Sequence, residues 1–300
     1  MLKISWSPIY RYPLPPGHRF PMEKYELLPE QLLYEGTVRP DNFFQPDPLP
    51  LELLLLTHDA SYWDKLTNQC LSPKEERAIG FPMTPRLVER SLHIANGTLL
   101  AAHHAFQHGI GMNIAGGTHH AFSNRGEGFC VLNDIAIAAN ALLHEGLADR
   151  ILIVDLDVHQ GNGTARIFRD EPRVFTFSMH GARNYPLRKE HSDLDIGLPD
   201  CTDDALYLRL LTQTLPALID RVQPDIIFFQ AGVDVLAEDR LGRLSLTLHG
   251  CAQRDRFVLA TAHRHRIPIA VSMGGGYPSR LATLLEAHAN TYRIAQELFF

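Results

Sequence analysis

From about residue 86 onward the chain alternates two textures, and that alternation constrains the fold more than any other feature. Short apolar, β-branched runs occupy Ile151–Leu156, Val174–Ser178, Ile226–Gln230 and Ile267–Ser272. Stretches of helical character lie around them at Pro85–Gln107, Leu132–His144, Asp204–Asp220, Gln253–His265 and Ser279–Glu297. Near-continuous apolar strands suit a parallel sheet covered on both faces. Their alternation with helices predicts a doubly wound α/β fold. In such sheets ligands bind beyond the carboxyl ends of the strands, so residues with chemistry belong just after those four runs.

The first fifty residues are rich in proline, which predicts an irregular surface segment around a short helix near Met22–Tyr34. The greasiest stretch, Leu49–Leu56, contains Glu52 and is too short to span a bilayer, so it is expected to be a buried element. No linker, repeat or composition break divides the chain, and one domain over residues 1–300 is expected. A formal charge of -6 argues against sequence-independent nucleic-acid binding and mildly favours a cationic partner. The four cysteines are far apart in sequence with no CxxC pair, so neither a zinc ribbon nor a disulfide framework is indicated, which fits a reducing compartment. Met1–Tyr10 lacks an apolar signal region, so the expected location is cytoplasmic, without membrane partners.

The strongest chemical signal is Asp155-Leu156-Asp157-Val158-His159-Gln160-Gly161-Asn162-Gly163, directly after Ile151–Val154. Residues two apart in an extended chain share a side, so Asp155, Asp157 and His159 can face one way. Two carboxylates and an imidazole can hold a divalent metal. The bland alternative is a solvated strand end, but two acids after a buried run are costly without partners. The glycines permit a tight turn into a helix with Asn162 near its start.

Three weaker signals accompany it. His119-His120 follow a Gly116-Gly117 turn and can be metal ligands, an acid/base pair or a surface accident in a chain with 16 histidines. His103, His104, His263 and His265 lie in helical stretches and read as plain surface residues. Asp234 follows the run ending at Gln230 and is equally a helix cap or a ligand. Gly274-Gly275-Gly276-Tyr277 ends the last run, letting backbone approach a ligand and a hydroxyl reach it. Its spacing matches no phosphate-binding loop. Together these are the parts of a metal-assisted hydrolase.

Five blocks resemble histone deacetylases and their bacterial relatives, in the family's order: GGTHHAF from Gly116, GFCVLND from Gly128, DLDVHQGNG from Asp155, AGVDVLAEDRLGRLSLT from Ala231 and GGGY from Gly274. Gly80–Arg90 and the short length look most like the class IV branch and short bacterial members. The resemblance implies an α/β, single-domain arginase-deacetylase fold, with a central parallel sheet of about eight strands flanked by helices. It implies zinc on Asp157, His159 and Asp234, with iron(II) an alternative for such ligands. His119 and His120 would be the tandem histidines, oriented by Asp155 and Asn162, and Tyr277 the oxyanion donor. Phe129 beside Gly128, with Tyr185 opposite, Leu241 and Gly275, would bind the acyl-lysine. A structural potassium is implied on Asp155, Ser178 and the main-chain oxygens of Asp157 and His159.

The implied activity is zinc-dependent hydrolysis of an N-acyl-lysine amide, of acetyl or longer chains, in a protein or peptide. Alternatives are an acetylpolyamine or other small-amide hydrolase and an inactive acyl-lysine-binding module. An arginase-like ureohydrolase would want more carboxylates than one Asp-x-Asp-x-His run offers. Two departures bear on substrate. Cys201 stands where the family commonly has glycine, so that turn is expected to differ, and only Glu76 offers itself as a rim acid, with little weight. The Pro13–Phe20 loop is expected to border the entrance, with His18 either at the rim or structural.

Overall fold

The computed structural model describes residues 1–300. The four apolar runs become β4 (Ile151–Asp155), β5 (Val174–Gly181), β7 (Ile226–Gln230) and β8 (Ile269–Ser272) of a single eight-stranded sheet. Four strands that patterning missed complete it: β1 (Lys3–Ser5), β2 (Phe43–Phe44), β3 (Ile110–Asn113) and β6 (Leu194–Leu198). The order is β2-β1-β3-β8-β7-β4-β5-β6, and every pairing is parallel. β4, β7 and β8 are buried along their whole length, as strands covered on both faces must be. Edge strand β6 alternates half-buried and exposed residues, which hides it among polar sequence. β3 carries Gly111 because a Cβ there would stand 2.0 Å from the Ala101 carbonyl oxygen of the covering helix.

The helices cover both faces. α1 (Lys24–Tyr34), α2 (Leu51–Leu54), α3 (Ala60–Thr67) and α4 (Pro73–Ile79) occupy the first part of the chain. They are followed by α5 (Pro85–His108), α6 (Asp134–Glu145), α7 (Asn162–Ile167), α8 (Asp204–Val222), α9 (Leu248–His265) and α10 (Leu281–Phe299). α5 begins with a Thr84 side chain accepting from Leu87 N and with Pro85 in its first turn, and it stops at Gly109 with φ +85°. One apolar cluster of 77 residues runs between sheet and helices. No helix is long and apolar enough to cross a membrane.

Four local expectations need correction. The first fifty residues are not an irregular surface segment: β1 lies between β2 and β3 inside the sheet, and Leu2, Ile4 and Tyr10 are fully buried. In Leu49–Leu56 only Leu49 and Leu54 are fully buried, whereas Leu51, Leu55 and Leu56 are more than one-third exposed. The run forms a short surface helix, which can turn only one face inward. His104 is not a plain surface residue: it packs edge-on to Phe44 at 4.9 Å. The Cys201 turn keeps the glycine-type conformation, with φ +62°.

The register sets up the site. Asp155 pairs with Ser178 on one side and Gln230 on the other, and Gln230 pairs with Ser272. The carboxyl ends of β4, β7 and β8 therefore finish level, with β5 running three residues further to Gly181, and the segments that follow β4, β7 and β8 emerge side by side.

Candidate active site

After β4 the chain bends so that Asp157 and His159 lie over the sheet, and after β7 it brings Asp234 to meet them. One donor atom from each lies within 4.8 Å of the others, and all three residues are buried. His159 Nδ1 stands 3.0 Å from Asp157 Oδ1 and 3.1 Å from Asp234 Oδ2. Backbone amides hold the carboxylates in place: Val158 N donates to Asp234 Oδ1 at 2.9 Å, and Gly275 N donates to Asp157 Oδ2 at 3.1 Å. A Cβ at Gly275 would sit 2.4 Å from Asp234 Oδ2, so only glycine lets this loop close over the cluster.

The electrostatics call for a cation. Burial and the neighbouring Asp157 charge push the Asp234 carboxyl up to about 7. Burial disfavours charge on His159, yet Asp157 and Asp234 outweigh it and raise the imidazole to about 10. Without a metal the cluster retains protons to offset two buried carboxylates. A divalent ion removes that need, and two carboxylates with one imidazole suit zinc or iron(II). The residues present fit such an ion.

Beside the cluster stand the two histidines, with ring centroids 4.2 Å apart. His119 Nδ1 donates to Asp155 Oδ2 at 2.6 Å, and His120 Nδ1 donates to Asn162 Oδ1 at 2.6 Å. The first partner is charged and the second neutral, so the rings diverge. Burial opposes charge on His119, but Asp155 prevails and raises it to about 9. Burial, then the His119 and His159 charges, hold His120 well below its usual value. With its Nδ1 proton donated to an amide oxygen, neutral His120 carries its free lone pair on Nε2.

The turn before the histidines is clamped from beneath. Asp134 accepts from Gly117 N, Thr118 N and the Thr118 hydroxyl at 3.1, 2.7 and 2.6 Å, while Gln230 Nε2 donates to Gly117 O at 2.9 Å. On the other side, Asp239 accepts from Tyr277 N at 2.6 Å and from Leu241 N and Gly242 N at 2.8 Å each. Lys24 Nζ, fully buried, donates to Gly274 O at 2.9 Å. Burial and the Asp234 and Asp157 charges push the Tyr277 phenol well above its ordinary value, so it stays a hydrogen-bond donor. Asp239, Asp134, Gln230 and Lys24 were not singled out from sequence. They act through backbone groups of remote loops, and a single carboxylate or lysine gives no local pattern.

A pocket of about 660 Å³ joins these parts, lined by His119, His120, Asp157, His159, Asp234, Tyr277, Gly128, Phe129, Tyr185, Leu241 and Gly275. Asp155, Asn162 and Ser178 lie behind the lining. Phe129 takes φ +68°, uncommon for an aromatic residue, with its amide held by Ile79 O at 2.7 Å. Its ring packs against Phe20 at 5.4 Å and Phe81 at 5.1 Å. Tyr185 stands edge-on to His120 at 4.9 Å. Arg19 and Phe20 line the pocket, so the Pro13–Phe20 loop does border it. His18 is structural: its Nε2 donates to Gly80 O at 2.9 Å and its Nδ1 accepts from Phe20 N at 3.1 Å. Glu76 is absent from the lining, whereas Glu127 is present. Both Glu127 oxygens are engaged, by Tyr185 and Arg125, at 2.7 Å each. Arg19, Arg77, Arg183 and Arg243 also line the pocket, so the acidic average of the chain does not describe this wall.

An eight-stranded parallel sheet with such a cluster at its strand ends places the molecule in the arginase-deacetylase class of α/β proteins. The comparisons narrow the class. Residues 18–292 match the model of the histone deacetylase domain. An uncharacterized protein of Picosynechococcus is 45% identical over 99% of both chains. Acetoin utilization protein AcuC of Staphylococcus aureus is 29% identical over 86% of this chain and 72% of its own, and histone deacetylase 2 of Arabidopsis thaliana is 28% identical over 89% and 72%. Among solved structures, a histone deacetylase homologue complexed with SAHA superposes with a TM-score of 0.85 at 24% identity, covering 99% of this chain and 84% of that one. The homologue from Aquifex aeolicus gives 0.83 at 24% identity over 98% and 84%. The chain belongs to the histone deacetylase family. Its activity class is hydrolysis of the amide in acylated substrates.

Proposed function

We propose that the protein hydrolyses the amide of N-acyl-lysine in a protein or peptide, with residues 1–300 acting as one catalytic domain in the cytoplasm. The observation that carries this reading is the convergence of a cation-demanding cluster and a neutral, tautomer-set His120 in one aromatic-walled pocket. Asp157, His159 and Asp234 would hold the ion, zinc or iron(II). When bound, the metal polarises the scissile carbonyl and acidifies water. His120 Nε2 accepts the proton of the attacking water, with Asn162 fixing the ring. Protonated His119, held by Asp155, keeps positive charge beside the site. The Tyr277 hydroxyl donates to the oxygen on which negative charge develops. A protonated imidazole of the pair then donates to the leaving amine. Phe129 and Tyr185 flank the lysine stem, with Gly128, Leu241 and Gly275 completing the channel.

Behind the pair we assign a structural potassium to Asp155, Ser178 and the main-chain oxygens of Asp157 and His159. The β4–β5 register, which makes Asp155 and Ser178 neighbours, supports this. Acylated polyamines are the weaker substrate class, because the arginines on the pocket wall repel a polycation. The test is a panel of acetyl-lysine peptide, fatty-acyl-lysine peptide and acetylated polyamine on zinc-reconstituted protein. Peptide turnover abolished by a chelator and by His120→Ala is expected. Binding without turnover across the whole panel would instead make the chain an acyl-lysine-binding module.

A further inference from the structure

Two arginines are buried in this molecule, and they are treated differently. Arg254 pairs with Asp255 at 2.7 Å and also donates to the Gly232 and Leu156 carbonyl oxygens. Arg90, only 4% exposed, donates its Nε to Tyr10 O at 2.6 Å and lies over the Tyr25 ring at 5.1 Å. No carboxylate stands within ion-pair distance of it, and the one side-chain oxygen near enough to take a hydrogen bond from its guanidinium is the neutral Tyr25 phenol. The nearby buried cation Lys24 is satisfied by the Gly274 carbonyl, which leaves Arg90 the exception. A desolvated guanidinium without an anion is costly, and its planar fork matches a carboxylate.

Arg90 lines the pocket already described. Ile94, one helical turn further along α5, and Tyr25 of α1 line it too, each at most 5% exposed. At the opposite extreme, the pocket is bordered by Leu187, 92% exposed, and by Arg183, with its side chain 77% exposed. A lysine side chain enters from the exposed rim and presents its amide at the histidine pair. Only the acyl group can continue to the buried end.

We propose that Arg90 binds a terminal carboxylate on the acyl chain, so that the protein removes acyl groups derived from dicarboxylic acids, of the malonyl, succinyl or glutaryl type. The inference rests on the acyl-lysine reading above. The reaction balances as simple hydrolysis: the C–N bond breaks, water's oxygen joins the acyl carbon, and the amine takes the proton. A free dicarboxylate and lysine are released.

The experiment compares malonyl-, succinyl- and glutaryl-lysine peptides with neutral acyl chains of equal length on zinc-loaded protein. One member of the acidic series is expected to exceed its neutral counterpart in kcat/KM by about 10- to 100-fold, the range of a hydrogen bond to a charged group. Arg90→Met should collapse that ratio, and Arg90→Lys should restore part of it. Independently of turnover, calorimetry on metal-free wild-type protein should show the preferred acidic peptide binding more tightly than its neutral match. That measurement keeps the test decisive if Arg90→Met does not fold. A wild-type preference for neutral chains, or a ratio unchanged in Arg90→Met, overturns the assignment. Acetyl-lysine turnover without any charge preference sinks this inference alone, whereas no turnover of any acyl-lysine removes the underlying function as well.

Discussion

The pocket has two sides built on different principles. On the sheet side, each reactive atom is held by another polar atom: His159 N donates to Asp157 Oδ1 at 2.9 Å, and the two imidazoles are pinned at 2.6 Å. On the loop side, Phe20, Phe81 and Phe129 meet only through their rings, with centroids 5.1–5.4 Å apart. Hydrogen bonds fix direction as well as distance, whereas ring packing mainly fixes shape. The sheet side is therefore suited to chemistry and the loop side to recognition. Substitutions on the first should act on metal content and kcat, and on the second on KM.

The largest effect is expected at Asp234. Asp234→Asn removes a ligand while its isosteric side chain can still accept from Val158 N, now 2.9 Å away. Zinc retained after dialysis should fall sharply, and kcat should drop roughly a thousandfold or more. Stability should move the other way in metal-free protein. Because the folded pKa of Asp234 is raised from 3.8 to about 7, the carboxyl holds its proton more tightly folded than unfolded. Metal-free wild type thus loses stability as pH rises across that window. At pH 8, metal-free Asp234→Asn should melt about 5 °C above metal-free wild type, as judged by calorimetry. A lower melting temperature would show that the cluster is not electrostatically strained.

Next comes the contrast within the histidine pair. Asn162→Asp gives His120 the charged partner that His119 already has. A carboxylate beside the ring favours imidazolium, so the His120 pKa rises and less free base remains at a given pH. The acidic limb of the kcat/KM profile should shift upward by about one pH unit, lowering the rate on that limb roughly tenfold. A profile superposable on wild type would remove His120 from the role of base.

On the loop side, Phe129→Ala should raise KM about tenfold and leave kcat within about twofold, since the lost term is apolar contact with the substrate stem. Initial-rate kinetics separate the two constants. A fall in kcat at constant KM would mean that the wall serves the chemistry and that the two-sided division is false.

The same division explains what could be read in advance. Asp157 and His159 were legible because they lie two residues apart after a buried strand, where acids need a partner. Asp234 remained divided between cap and ligand, because its meeting with them depends on the β4–β7 register, a long-range property. The wall around Phe129 was named only through family resemblance. Its supports, Phe20 and Phe81, come from separate irregular segments with no periodicity. Strands β1, β2 and β6 escaped for a related reason: they are two to five residues long and only partly buried, so they lack the apolar run that marked β4 and β7.

The smallest effect belongs to the loop side and tests how much its backbone matters. Cys201 holds φ +62°, a conformation that costs an L-residue about 1–2 kcal/mol. Its amide donates to the carbonyl oxygen of Arg243, a pocket-lining residue, at 2.7 Å. Glycine removes the steric cost but loses about 0.5–1 kcal/mol through its freer unfolded chain. Cys201→Gly should therefore stabilise the protein by about 0.5 kcal/mol, a rise of roughly 1–2 °C in Tm. The amide bond to Arg243 would remain, so KM for the acyl-lysine peptide should not change. If KM moves while Tm stays fixed, the thiol itself contributes to recognition, and the turn is more than a support for the arginine.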